Sequence, residues 1–185
     1  MLRWACGALA IATAGCFTVG LQGGGHIPLD GAVSRNYAAR FQMTGFINGF
    51  PDALPVIIQP MFSMGVGPLG DKSDAPVMLG GRLTSRSHGW APGFYAQFEG
   101  GGPPYVERPG SAWAISVGSA WTKVVIKDDP WFPTGFGSIS IGLTYWHQEQ
   151  RDIRGGEFIG VEATLTGGTN IMDFFVALFS DANHH

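Results

Sequence analysis

The chain has 185 residues, of which 45% are hydrophobic and 14% charged, with a net charge of −3. Lysine occurs only at Lys72, Lys123 and Lys127, so no basic run exists to neutralise a phosphate backbone, which argues against nucleic acid as a partner. The 29 glycines and 12 prolines are interleaved with Trp, Phe, Ile and Val, and that much apolar surface argues against a disordered chain.

From Trp4 to Leu21 no residue bears a formal charge, and Arg3 precedes the run. A short basic start before an apolar stretch predicts an export signal over residues 1–22. As a helix the same stretch is about 27 Å long, the lower limit for a membrane anchor. Both cysteines, Cys6 and Cys16, fall inside it. On a helix they stand about 15 Å apart, too far to pair. The rest of the chain has no cysteine, which leaves no disulfide framework and no Cys-ligated zinc site. Thr13-Ala14-Gly15-Cys16 resembles the lipobox of bacterial lipoproteins, and the resemblance implies that Cys16 becomes a lipidated N-terminus. Residues 23–35, opening on Gly23-Gly24-Gly25, read as a linker. Residues 36–180 read as a β domain, and 181–185 as a tail.

Within the β domain, alternation with a period of two keeps returning. Tyr37, Ala39, Phe41 and Met43 oppose Ala38, Arg40, Gln42 and Thr44. Val56 to Val66 is almost wholly apolar and broken by Pro60, which predicts a sheet edge or a bulge. Val77, Leu79 and Leu83 oppose Arg82, Thr84 and Arg86; Phe94, Ala96 and Phe98 oppose Tyr95, Gln97 and Glu99. Trp113, Ile115, Val117 and Trp121 oppose Ala112, Ala114, Ser116, Gly118 and Ala120. Ile139, Ile141, Leu143 and Tyr145 oppose Ser138, Ser140, Gly142 and Thr144, and Ile159, Val161, Ala163 and Leu165 oppose Glu162, Thr164 and Thr166. Met172 to Phe179 reads as an eighth strand. Turn-forming clusters of Gly, Pro, Asp and Asn separate these runs.

The class is therefore all-β, with about eight antiparallel strands. Two architectures fit: an up-and-down barrel, or a two-sheet sandwich. A soluble sandwich wets its second face with Lys, Glu and Thr, whereas here that face is mostly Ala, Gly and Ser. Small residues suit a narrow barrel interior, and the apolar face then points into lipid. Trp113 and Trp121 share that apolar face, about 26 Å apart along the strand; with Tyr145 they are candidates for aromatic girdles or for contacts to other protein subunits. At the level of architecture the chain resembles small outer-membrane barrels and envelope lipoproteins.

Arg40, Arg82, Arg86, Glu99, Glu162 and Asp173 project from the small-residue face and predict an interior charge network. His147 is followed by Glu149 and Glu157, a pattern compatible with a general base. The segment from His147 to Glu162 resembles the active region of lipid A deacylase barrels, whose motif is His-x-Ser-Asn. Here the Ser position is Glu149 and the Asn position Gln150, so the nucleophile is missing and no catalytic role carries over. His184-His185 lacks a third ligand, and no cofactor or metal motif occurs. The expected function is a non-enzymatic envelope barrel in contact with membrane lipid, with a structural or narrow-pore role. The alternatives are a tethered soluble β domain serving as an accessory subunit, and a lipid-modifying hydrolase.

Overall fold

A computed structural model describes residues 16–32, 34–45, 56–69, 75–85, 91–102, 110–126, 134–150 and 153–170. Eight antiparallel strands form a closed up-and-down barrel: β1 (Cys16–Pro28), β2 (Tyr37–Gly45), β3 (Val56–Val66), β4 (Val77–Ser85), β5 (Gly93–Gly102), β6 (Gly110–Ile126), β7 (Thr134–Gln150) and β8 (Ile153–Asn170). Each strand pairs with the next, and β1 closes on β8 from Cys16–Asn170 to Pro28–Phe158. Closure rules out the sandwich and removes both sheet edges.

One strand assignment differs from the periodic reading. The stretch read as the end of a leader and as a glycine linker is strand β1, paired on both sides with Gly23-Gly24-Gly25 inside the ladder. Gly24 is there because the walls crowd: a Cβ on it would lie 2.7 Å from the Cα of Glu162, so only a hydrogen fits. The run Met172–Phe179 lies outside the described residues, as do residues 1–15 and the tail. Pro60 is not at a bulge, and it is paired on one side only. It pairs with Gly81 in an unbroken β3–β4 ladder, one residue beyond the last β2–β3 pair at Met61, so its missing N–H falls where the pairing with β2 has stopped. No described helix is long and apolar enough to cross a membrane, which says nothing of a barrel that crosses with strands.

The alternation places the two faces as the barrel geometry requires. Outward stand Leu21, Phe41, Ile58, Leu83, Phe98, Val117, Ile141 and Val161, all exposed; inward stand Gln22, Arg40, Gln59, Arg82, Glu99, Ser116, Ser140 and Glu162, all buried. Two rims result. The upper rim carries the β1–β2, β3–β4, β5–β6 and β7–β8 connections, and the lower rim carries the start of β1 and the end of β8. In the β1–β2 connection Gly31 takes φ 71° and Asn36 φ 61°, the left-handed conformations that these two residue types tolerate best.

Candidate functional site

The barrel interior is layered. At the upper rim the β3–β4 connection folds inward. Ser34 bridges to Leu69, the Arg35 amide donates to the Pro68 carbonyl at 2.9 Å, and Leu69 is fully buried. Leu69 packs with Ala38, Met78, Ala112, Ala114, Trp146 and Phe158 into an apolar cap across that end. Its amide donates to Gln148 Oε1 at 3.4 Å, so the cap also satisfies a backbone group it buries.

Below the cap lies a charged layer built from six strands. Arg40 on β2 donates through Nη1 to Glu99 Oε2 on β5 at 2.5 Å, and through Nη2 to Glu162 Oε2 on β8 at 2.6 Å. Its guanidinium also covers the Trp146 ring, 4.5 Å from the centroid. Glu162 accepts two further hydrogen bonds, from Trp146 Nε1 at 2.9 Å and from Gln22 Nε2. Glu99 accepts from Ser63 Oγ at 2.7 Å and from Gln97 Nε2, while Gln97 Nε2 also donates to Gln22 Oε1 at 3.0 Å. His26 brings Nε2 to 3.2 Å from Glu162 Oε1, near enough for charge to act although neither ring nitrogen is aimed to form a hydrogen bond. Taking these ions out of water costs several kcal/mol each, which the hydrogen bonds offset only because nearly every lone pair is engaged.

Toward the lower rim the lining turns to hydroxyls and amides. Thr18 and Thr44 share a hydrogen bond, Gln59 Nε2 donates to Thr44 Oγ1 at 3.3 Å, and Thr84 Oγ1 donates to Gln59 Oε1 at 3.2 Å. Arg82 donates from Nε to Thr84 Oγ1 at 3.1 Å and lies over Tyr95, 4.4 Å from the ring centroid. No described carboxylate stands within ion-pair distance of Arg82, and its Nη2 has no hydrogen bond.

Of the six residues predicted to form the interior network, Arg40, Glu99 and Glu162 meet in one cluster, and Arg82 stands apart over Tyr95. Arg86 and Asp173 lie outside the described residues. Sequence reasoning missed His26, Gln22, Gln97 and Trp146 as members. His26 was hidden by its glycine neighbours, which read as a linker; Trp146 lies in register with Gly142 and Thr144 on the small-residue face, and that spacing was the available signal.

The outer aromatic candidates divide between the rims. Trp121 is exposed toward the lower rim, whereas Trp113 and Tyr145 contact each other near the upper rim with ring centroids 5.3 Å apart. His147 is inside β7 and faces outward: its ring stacks on Trp113 at 5.5 Å, and Nε2 lies 3.3 Å from Glu149 Oε1. Among the described residues no group of His, Cys, Asp and Glu is arranged to hold a metal ion. Cys16 opens β1 opposite Asn170.

The site thus defines a class of fold: a narrow antiparallel barrel whose buried face is polar and whose exposed face is apolar. Comparison with protein-family models, with curated proteins and with solved structures finds no match for this chain.

Proposed function

We propose that this protein is a membrane-embedded barrel of the cell envelope with a structural, lipid-contacting role, without a pore and without catalysis. The observation that carries the reading is the inverted polarity of the two faces. Leu21, Leu165 and Ile139 are 67%, 60% and 58% exposed, while Arg40, Glu99 and Glu162 are 2%, 1% and 0% exposed. A barrel in water gains nothing from that arrangement, because it leaves apolar surface wet and desolvates charge. In a bilayer the first term changes sign, because the apolar belt meets acyl chains, and the interior is where Arg40, Glu99 and Glu162 find partners away from lipid.

The closed interior favours a structural role over conduction. An apolar cap at one end and a buried ion cluster beneath it leave the described lining packed against itself. The same burial favours a non-catalytic reading, since no carboxylate of the cluster meets solvent. Lipidation at Cys16 is compatible with β1, because processing before that residue leaves the whole strand in place, whereas removal of residues 1–22 takes away its first seven residues. The test is reconstitution of the full chain into liposomes loaded with a small fluorescent dye. The expected result is a barrel that resists extraction by alkaline carbonate and does not release the dye. A chain that stays monomeric in buffer without detergent overturns the membrane reading, and rapid dye release overturns the closed interior.

A further inference from the structure

We propose that the upper outer wall of β6, β7, β8 and β1 binds one phospholipid whose headgroup carries an ammonium, an inference that rests on the membrane reading above. Two adjacent features support it. The first is a ledge. Trp113, His147 and Glu157 are cross-strand neighbours in one outward row, with Tyr145 two residues below His147 and Glu149 two above it. Trp113 is half-buried beside Tyr145, with the imidazole of His147 stacked against it; the exposed carboxylate of Glu157 lies beside His147 on β8, and that of Glu149 lies above it, 3.3 Å from His147 Nε2. Aromatic faces between carboxylates attract a cation by both the ring quadrupole and the charge, and an ammonium is the cation a lipid headgroup supplies.

The second feature is a groove directly beneath the ledge. The next outward row is Tyr145, Ile159 and Ile27, and the one below it is Leu143, Val161 and Gly25. Gly25 contributes no side chain there, and Ile27, Leu143, Ile159 and Val161 wall an apolar hollow over it. The rows step by about 6.6 Å along the strand, which sets the hollow at the depth of an upper acyl chain when an ammonium occupies the ledge. Charge complementarity at the ledge and continuity of the groove with the apolar belt thus select one occupant. A second copy of this chain would meet like charge there, because the same two glutamates would face each other.

The experiment uses the full chain purified in a mild detergent, offered equal amounts of phosphatidylethanolamine and phosphatidylglycerol of the same chain length, with native mass spectrometry counting retained lipids. The expected result is one ethanolamine lipid retained in preference by about tenfold, with the preference falling to about twofold or less in the Glu149→Gln, Glu157→Gln double variant. Gly25→Leu is expected to lower retention of both lipids, and the thermal unfolding of each variant in detergent is followed to confirm that the barrel remains intact. Equal retention of the two lipids by the wild type overturns the ammonium site while leaving the membrane reading in place. A peak at twice the chain mass that displaces lipid overturns it in favour of self-association. Failure of the chain to enter liposomes removes the membrane reading and this site with it.

Discussion

Arg40 and Glu162 meet 2.6 Å apart inside the barrel although β1 lies between their strands, so their ion pair spans the seam at which the barrel closes. The second nitrogen of the same guanidinium reaches Glu99 on β5, from the opposite wall. Arg40→Met therefore leaves two buried carboxylates without their cation, and the expected loss is about 3–5 kcal/mol. Arg82→Met removes a guanidinium with no described carboxylate at ion-pair distance, so the expected change is about 1 kcal/mol or less. Urea unfolding of both variants in the same detergent checks the contrast. Equal losses would mean that the two arginines serve the interior alike, contrary to the geometry.

The two faces of β7 make a second comparison. Ile141 is 47% exposed on the outer wall and Ser140 is 1% exposed on the inner one. Ile141→Lys is expected to cost about 2–4 kcal/mol in liposomes, the penalty for a lysine near a bilayer midplane, and much less in detergent, where the ammonium reaches water. Ser140→Lys is expected to prevent folding in both, because Ser140 is fully buried and no carboxylate among the described residues is free to take its charge. Folding yields in the two media check this. A well-tolerated Ser140→Lys is incompatible with a filled barrel.

The alternation along β6 was fully legible: four large apolar side chains outward against Ala, Ser and Gly inward leave one way to face a narrow barrel. The inward direction of Arg40, Arg82, Glu99 and Glu162 followed from the same period. What the period does not carry is register between strands. It gives the face of Glu162 but not that Trp146, Gln22 and His26 converge on it, since that depends on how far each strand slides past the next. Strand β1 was obscured for a different reason. Val19 and Leu21 continue the uncharged run from Trp4, and the inward Gly20 and Gly24 carry no polarity to mark an alternation. In a packed barrel those absent side chains are the signal, because β1 and β8 approach too closely there for any other residue.

That close approach gives a third prediction. Gly24→Ala places a methyl against the Val161 carbonyl and the Glu162 backbone, which the β1–β8 ladder cannot move aside without breaking. A destabilisation of about 3 kcal/mol is expected, at the upper end for an overpacked site. Gly137→Ala is the control: a Cβ there meets nothing within 4 Å, so it is expected to fold like the wild type. Thermal unfolding in detergent checks the pair. Equal stability of the two variants would show that the seam yields more easily than its packing implies.

The last prediction concerns the start of β1. Under the envelope reading, processing before Cys16 would leave a lipid-bearing cysteine as the first residue of the strand, opposite Asn170 at the lower rim. A chain processed there keeps every residue of β1, so lipidation and barrel closure are compatible. The Cys16→Ser variant separates the two contributions to membrane attachment. The belt alone embeds an exposed apolar surface on every strand, worth far more than one acyl chain at about 0.8 kcal/mol per buried CH₂ group. The variant is therefore expected to accumulate with residues 1–15 still attached and yet remain in the membrane fraction after an alkaline carbonate wash. The intact mass of wild type and variant checks processing, and the wash checks attachment. Release of the variant into the wash would mean that the lipid, rather than the belt of side chains, holds the protein in place. Identical masses, apart from the single oxygen-for-sulfur exchange, would mean that Cys16 is not modified.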